Sequence, residues 1–80
     1  MDYFVYVIYS AKRNRYYVGQ SEDVQRRVEL HRLRKNLGVS DWELKYVEAF
    51  NTRSEAMKRE AYIKARKSRI YIESLFKMHV

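Results

Sequence analysis

Two tyrosines, a glycine, an arginine–histidine pair and one late glutamate are the residues of this chain whose types and spacing can do chemistry. Tyr6 precedes the run Tyr17-Val18-Gly19 by eleven residues. On neighbouring antiparallel strands the two tyrosine hydroxyls would converge on one face of a sheet. Tyrosine is also an ordinary strand residue, and this chain has eight. The pair therefore draws its weight from Gly19, since a strand glycine marks unusual dihedrals or close approach by another group. Arg27 and His31, four apart, share a helix face. An arginine there can hold a phosphate bidentately, and a histidine can shuttle protons near neutral pH. The plainer reading is a solvated basic face, because Arg26, Arg27, Arg32, Arg34 and Lys35 form one long run of charge. Glu60 falls among Ala56, Met57, Ala61 and Lys64 at helical spacing, on or beside the packing stripe. A carboxylate there is costly unless it is paired or binds a cation. An ion pair with Lys64 or Lys67 would satisfy it. So would Mg²⁺, which one carboxylate can anchor while phosphate and water supply the other ligands.

Competing chemistries lack their residues. There is no HExxH, no CxxC, no glycine-rich phosphate loop and no Ser-His-Asp set with supporting spacing. With no cysteine, neither a disulfide nor a thiolate metal site is available. The first ten residues are apolar and aromatic, but they are too short for a membrane span and carry Asp2 without a basic leader. A cytoplasmic protein with no membrane partner is the expectation. The balance of 17 Lys and Arg against 10 Asp and Glu gives +7, a surplus that attracts polyanions, above all nucleic acid.

The elements that must position these residues follow from the pattern. Eighty residues predict one domain, residues 1–80, with a small core. Tyr3 to Tyr9 is β-branched and aromatic throughout and predicts a strand. A polar turn at Ala11–Arg15 leads to a second strand over Tyr16–Gln20. Ser21 is the expected cap of a helix with Glu22 and Asp23 in its first turn. Its apolar stripe is Val24, Val28, Leu30, Leu33 and Leu37, with Gly38 as the stop. Trp42–Phe50 predicts a third strand. Thr52-Arg53-Ser54-Glu55 is a capping box opening a second helix. Ser68–Met78 predicts a last short helix packed by Ile70, Ile72, Leu75 and Phe76. The sum is an α+β fold, a small three-stranded antiparallel sheet covered by helices.

Phe4-Val5-Tyr6, Tyr17-Val18-Gly19, Arg27 with His31, and Glu60 within Ala56-Met57-Lys58-Arg59-Glu60 together resemble the motifs of the GIY-YIG nuclease superfamily. The likeness is to its small single-domain branch, similar to the N-terminal domain of the excinuclease C subunit, and it covers nearly the whole chain. Phe4 replaces the glycine of the first motif, and the asparagine that larger members carry after the metal helix has no counterpart. The resemblance implies an endonuclease hydrolysing phosphodiester bonds in DNA, in repair or recombination, with Mg²⁺ or Mn²⁺ and no small-molecule cofactor. It implies Glu60 as metal ligand, Tyr6 as proton acceptor helped by Tyr17 or His31, and Arg27 offsetting charge on the phosphate. Gly19, Arg26 and Lys64 would lie against the nucleic acid. A tyrosine ionises near ~10, so neighbouring cations are expected to lower Tyr6. The alternative is a nucleic-acid-binding module that does not cleave, and a third class is a protein-interaction domain.

Overall fold

A computed structural model describes residues 2–77. In chain order the elements are β1 (Tyr3–Ser10), β2 (Arg15–Ser21), α1 (Val24–Leu33), a 3-10 turn (Asn36–Gly38), β3 (Glu43–Phe50), α2 (Arg53–Arg66) and α3 (Arg69–Lys77). The strands form one antiparallel sheet in the order β2-β1-β3. The α+β architecture expected from the sequence is the one found.

Strand alternation splits the apolar side chains between two faces. On one face Tyr6 and Ile8 pack with Val28 of α1 and with Trp42, flanked by Tyr17, Val24 and Val39. On the other, Val5, Val7 and Val18 pack with Ala56 and Ile63 of α2 and Leu75 of α3. Each fully buried Val or Ile contributes roughly 1.5–3 kcal/mol relative to exposure. The sheet is therefore held as a middle layer with α1 on one side and α2 and α3 on the other. Tyr6 stands directly opposite Gly19 in the β1–β2 register, and Ile8 opposite Tyr17. All four side-chain positions thus belong to the face that α1 covers.

Several boundaries and contacts differ from the sequence expectation. Asp23, not Ser21, caps α1: its carboxylate accepts from the Arg26 amide at 3.1 Å. Ser21 is occupied two residues earlier, its hydroxyl accepting from the Asp23 amide. Glu22 and Asp23 therefore precede the helix, and no acid lies in its first turn. The helix ends at Leu33, and Leu33 is 75% exposed while Leu37 belongs to the following turn. Trp42 is not a strand residue but a fully buried plug beneath that turn, its indole N–H donating to the Asn36 carbonyl. The cap of α2 forms with Thr52 accepting from the Glu55 amide, but the Glu55 carboxylate takes the Thr52 hydroxyl rather than its amide. In α3, Ile70 is 81% exposed and Tyr71 takes its expected packing place. Met78 lies outside the described residues. No helix among them is long and apolar enough to cross a membrane.

Candidate active site

Gly19 explains how the site is built. A Cβ at this position would lie 2.5 Å from the Tyr6 hydroxyl oxygen and 2.6 Å from its Cζ. The Tyr6 ring thus runs across the backbone of β2 at the one place where no side chain stands. Its hydroxyl is carried from the central strand over the edge strand, with His31 of α1 at 3.1 Å through Nε2. The glycine is required here by close approach, the second of the two reasons the sequence allowed.

His31 is fixed from three sides. Its ring lies 4.7 Å from the Tyr17 ring and 6.3 Å from Trp42, centroid to centroid. Its Nδ1 lies 3.0 Å from the side-chain amide nitrogen of Asn36. With that amide donating, the imidazole proton sits on Nε2 and points at the Tyr6 oxygen. Half a turn of the amide exchanges the roles, and Nε2 then accepts the phenol proton. Burial and the nearby Arg27 guanidinium both push the His31 pKa below its usual value, so the ring is neutral at pH 7.

Arg27 is exposed on α1 and forms no ion pair among the described residues. It borders two shallow depressions, one with His31 and Asn36, the other with Gln20 and Arg53. Its charge acts on both Tyr6 and His31. Arg26 is also exposed, but neither Tyr6 nor His31 takes a shift from it. That difference separates two adjacent arginines the sequence could rank only by pattern.

Glu60 belongs to α2, on the far face of the sheet from α1. Its charge still contributes to raising the pKa of Tyr6, the smallest of the influences on that hydroxyl. α2 also packs against β2, the edge strand. There Lys64 bonds Glu60 at 2.8 Å and sits 6.0 Å from the centre of the Tyr17 ring. The ion pair anticipated for Glu60 thus exists, with Lys64 rather than Lys67. The carboxylate is 21% exposed and uses one oxygen for the lysine. Among the described residues no three acids or histidines cluster as a closed metal cage would need. A single half-buried carboxylate is a donor set that suits Mg²⁺ or Mn²⁺ completed by water and phosphate oxygens.

The hydroxyl of Tyr6 departs from expectation in its proton affinity. Its pKa is pushed up to about 12, first by burial, then by Tyr17 and Glu60, against an opposing pull from Arg27. The anticipated lowering by Arg27 is present but is outweighed by burial. Tyr6 carries its proton at neutral pH. Asn36 is the residue that sequence reasoning missed: it lies in a turn whose neighbours Lys35 and Leu37 have positive φ, where no periodicity operates. The only available signal was an amide five residues after His31.

The fold and these motif positions define a GIY-YIG domain, and the model of the GIY-YIG catalytic domain matches residues 2–71. The chain belongs to that family. A UPF0213 protein of Halobacterium salinarum is 41% identical over 76 residues, covering 90% of this chain and 96% of the relative. A UPF0213 protein of Bacillus halodurans, solved by solution NMR, superposes with a TM-score of 0.62 at 29% identity. The superposition covers 98% of this chain and 85% of that one.

Proposed function

We propose that this protein is a divalent-metal-dependent endonuclease acting on phosphodiester bonds, with DNA as its substrate. The observation that supports this most is the meeting of four elements at one hydroxyl. Tyr6 of β1 passes over Gly19 of β2, bonds His31 of α1, and feels the charges of Arg27 and of Glu60 on α2. A purely structural sheet has no need to lay a phenol over a glycine and against a neutral histidine, beside an arginine with no ion pair among the described residues.

The chemistry follows from the protonation states. A phenol with a pKa of about 12 is a poor base unless its own proton leaves as another arrives. His31, neutral and 3.1 Å away, is the acceptor for that proton. In the relay, Tyr6 takes a proton from the attacking water while its hydroxyl proton passes to Nε2. Asn36 then accepts from Nδ1–H through its amide oxygen. This favours His31 over Tyr17 as the helper, and Tyr17 walls the site. Arg27 offsets the charge that grows on the phosphate. Glu60 would hold a divalent ion, which would supply charge stabilisation at the leaving oxygen.

The raised Tyr6 pKa and the Glu60–Lys64 ion pair favour a second reading, a binding module in which neither group reacts. Incubation with branched and linear DNA, in Mg²⁺ or in EDTA, separates the two. Cleavage confined to Mg²⁺ is expected, with Glu60→Gln weakening the metal dependence. Arg27→Ala should cost ~10²–10³ in rate, as for other preorganised donors. A folded parent that binds DNA and gives no Mg²⁺-dependent product would leave only the binding module, and a folded double variant that cleaves as fast as the parent would overturn the roles given to Glu60 and Arg27.

A further inference from the structure

One cleft lies beside the site without belonging to the chemistry above. It occupies about 470 Å³ between the outer edge of β2 and the junction of α2 with α3. Val18, Ile63 and Ile72 give it an apolar floor, next to the ring of Tyr16. Arg15, Lys64, Lys67 and Arg69 give it a cationic rim, and no Asp or Glu lines it. Tyr17 and Lys64, which lie beside the candidate active site, also line the cleft, so the two adjoin.

The cations are not equally committed. Lys64 is bound to Glu60, and Arg69 to Glu73 and Asn14. Arg15 and Lys67 are exposed and form no ion pair among the described residues. β2 is also an edge strand, so its outward amides remain available as donors. A peptide strand would use such an edge, but a rim on which Arg15 and Lys67 are left without acidic partners among the described residues favours a polyanion.

We propose that this cleft receives a single-stranded segment of nucleic acid adjoining the scissile phosphate. The substrates of the nuclease proposed above are then nucleic acids with an unpaired arm or end, and the inference rests on that reading. The cleft falls in the range of pockets for small ligands, roughly 300–1,000 Å³, and admits a nucleotide-sized group but not a duplex. Single strands are bound where a basic groove follows the phosphates and aromatic or apolar side chains receive the bases. Arg15 and Lys67 supply the first, and the partly exposed sides of Tyr16 and Ile72 the second.

The test uses the full chain in EDTA, so that binding is read apart from cleavage. Fluorescence anisotropy compares an oligothymidylate with a blunt duplex of the same length over a range of salt. The parent is expected to prefer the single strand. In Arg15→Gln/Lys67→Gln, the slope of log affinity against log salt on the single strand should fall by about 1.4, at ~0.7 per lost phosphate contact. Lys58→Gln, an exposed cation of α2 away from the cleft, should leave it unchanged. An NMR titration of the parent needs no variant: amide shifts should centre on Arg15–Val18 and Lys64–Ile72. An unchanged slope in the double variant, shifts centred elsewhere, or a preference for blunt duplex overturns the proposal. If the slope is unchanged while Arg27→Ala still abolishes cleavage, the cleft assignment falls and the nuclease stands. If the parent binds no nucleic acid, both fall.

Discussion

The hydroxyl of Tyr6 is where sequence and environment pull in opposite directions. The mechanism proposed above asks it to transfer a proton, while its burial holds it neutral up to about pH 12. A folded-state pKa above the unfolded value of ~10 means the folded chain holds this proton longer than the unfolded chain. Stability is therefore full below pH 10 and is lost as pH rises from there toward 12, by roughly 3 kcal/mol at 1.36 kcal/mol per unit. Denaturant titrations of the parent and of Tyr6→Phe at pH 9 and pH 11 check this, and the parent should lose more. His31 behaves inversely: its lowered pKa makes it titrate below ~6.5, and its neutral form favours folding above that pH. Asn36→Asp would set a carboxylate against Nδ1 and favour the imidazolium. An NMR titration should show His31 moving to a higher pKa in that variant, and the acid limb of any cleavage profile should move with it. Gly19→Ala places a methyl 2.5 Å from the Tyr6 oxygen. Overpacking of this kind costs ~1–3 kcal/mol, readable as a lower denaturation midpoint. Gly19 could be suspected from sequence because glycine in a strand is conspicuous. Asn36 could not, since an asparagine in a polar loop is commonplace until a histidine is found against it.

At the scale of elements, the legible parts were those with a period. β1 reads as a strand because its residues are β-branched or aromatic from end to end, and α2 because a capping threonine precedes Ala56 and Ile63 at helical spacing. The misread parts were decided by competition between neighbours. Ser21 and Asp23 can each cap a helix, and the serine hydroxyl closed its own local turn, leaving the aspartate to cap. Leu33 and Leu37 completed a stripe that the chain abandons once Trp42 fills the space beneath the turn. A second polar device fixes that region: the buried Ser10 hydroxyl donates to Asp41 at 2.6 Å, and Asp41 also accepts from the Lys12 amide. Those hydrogen bonds depress the Asp41 pKa, the one from Ser10 most. A depressed carboxyl pKa stabilises the fold above ~3.9 and ceases to do so as pH falls through its lower folded value. Asp41→Ala should thus lower the melting temperature at pH 7 and narrow its difference from the parent toward pH 2. Thermal melts across that range measure it.

For the whole molecule, the surplus of seven positive charges has two consequences of opposite sign. Two unit charges ~15 Å apart in water repel by about 0.3 kcal/mol, and the pairs among seven such charges total roughly 6 kcal/mol before screening. The folded chain cannot spread them further, since its extents are 32 × 26 × 25 Å. The unfolded chain can. Against this, most of the ion pairs among the described residues involve exposed partners, each contributing ~0–1 kcal/mol. Repulsion is the larger effect, and at 0.15 M salt the screening length is about 8 Å, which removes most of it. Raising salt from low to physiological strength should therefore raise the melting temperature. The same salt should weaken the proposed nucleic-acid binding, because less is gained from displacing the counterions of the phosphates. Thermal melts and anisotropy titrations in matched buffers should show stability climbing as affinity falls. A melting temperature that drops together with affinity would mean that the ion pairs, not the surplus charge, dominate the electrostatics of the fold. The positive surplus would then be a solvated surface, and its value as a guide to the partner would be lost.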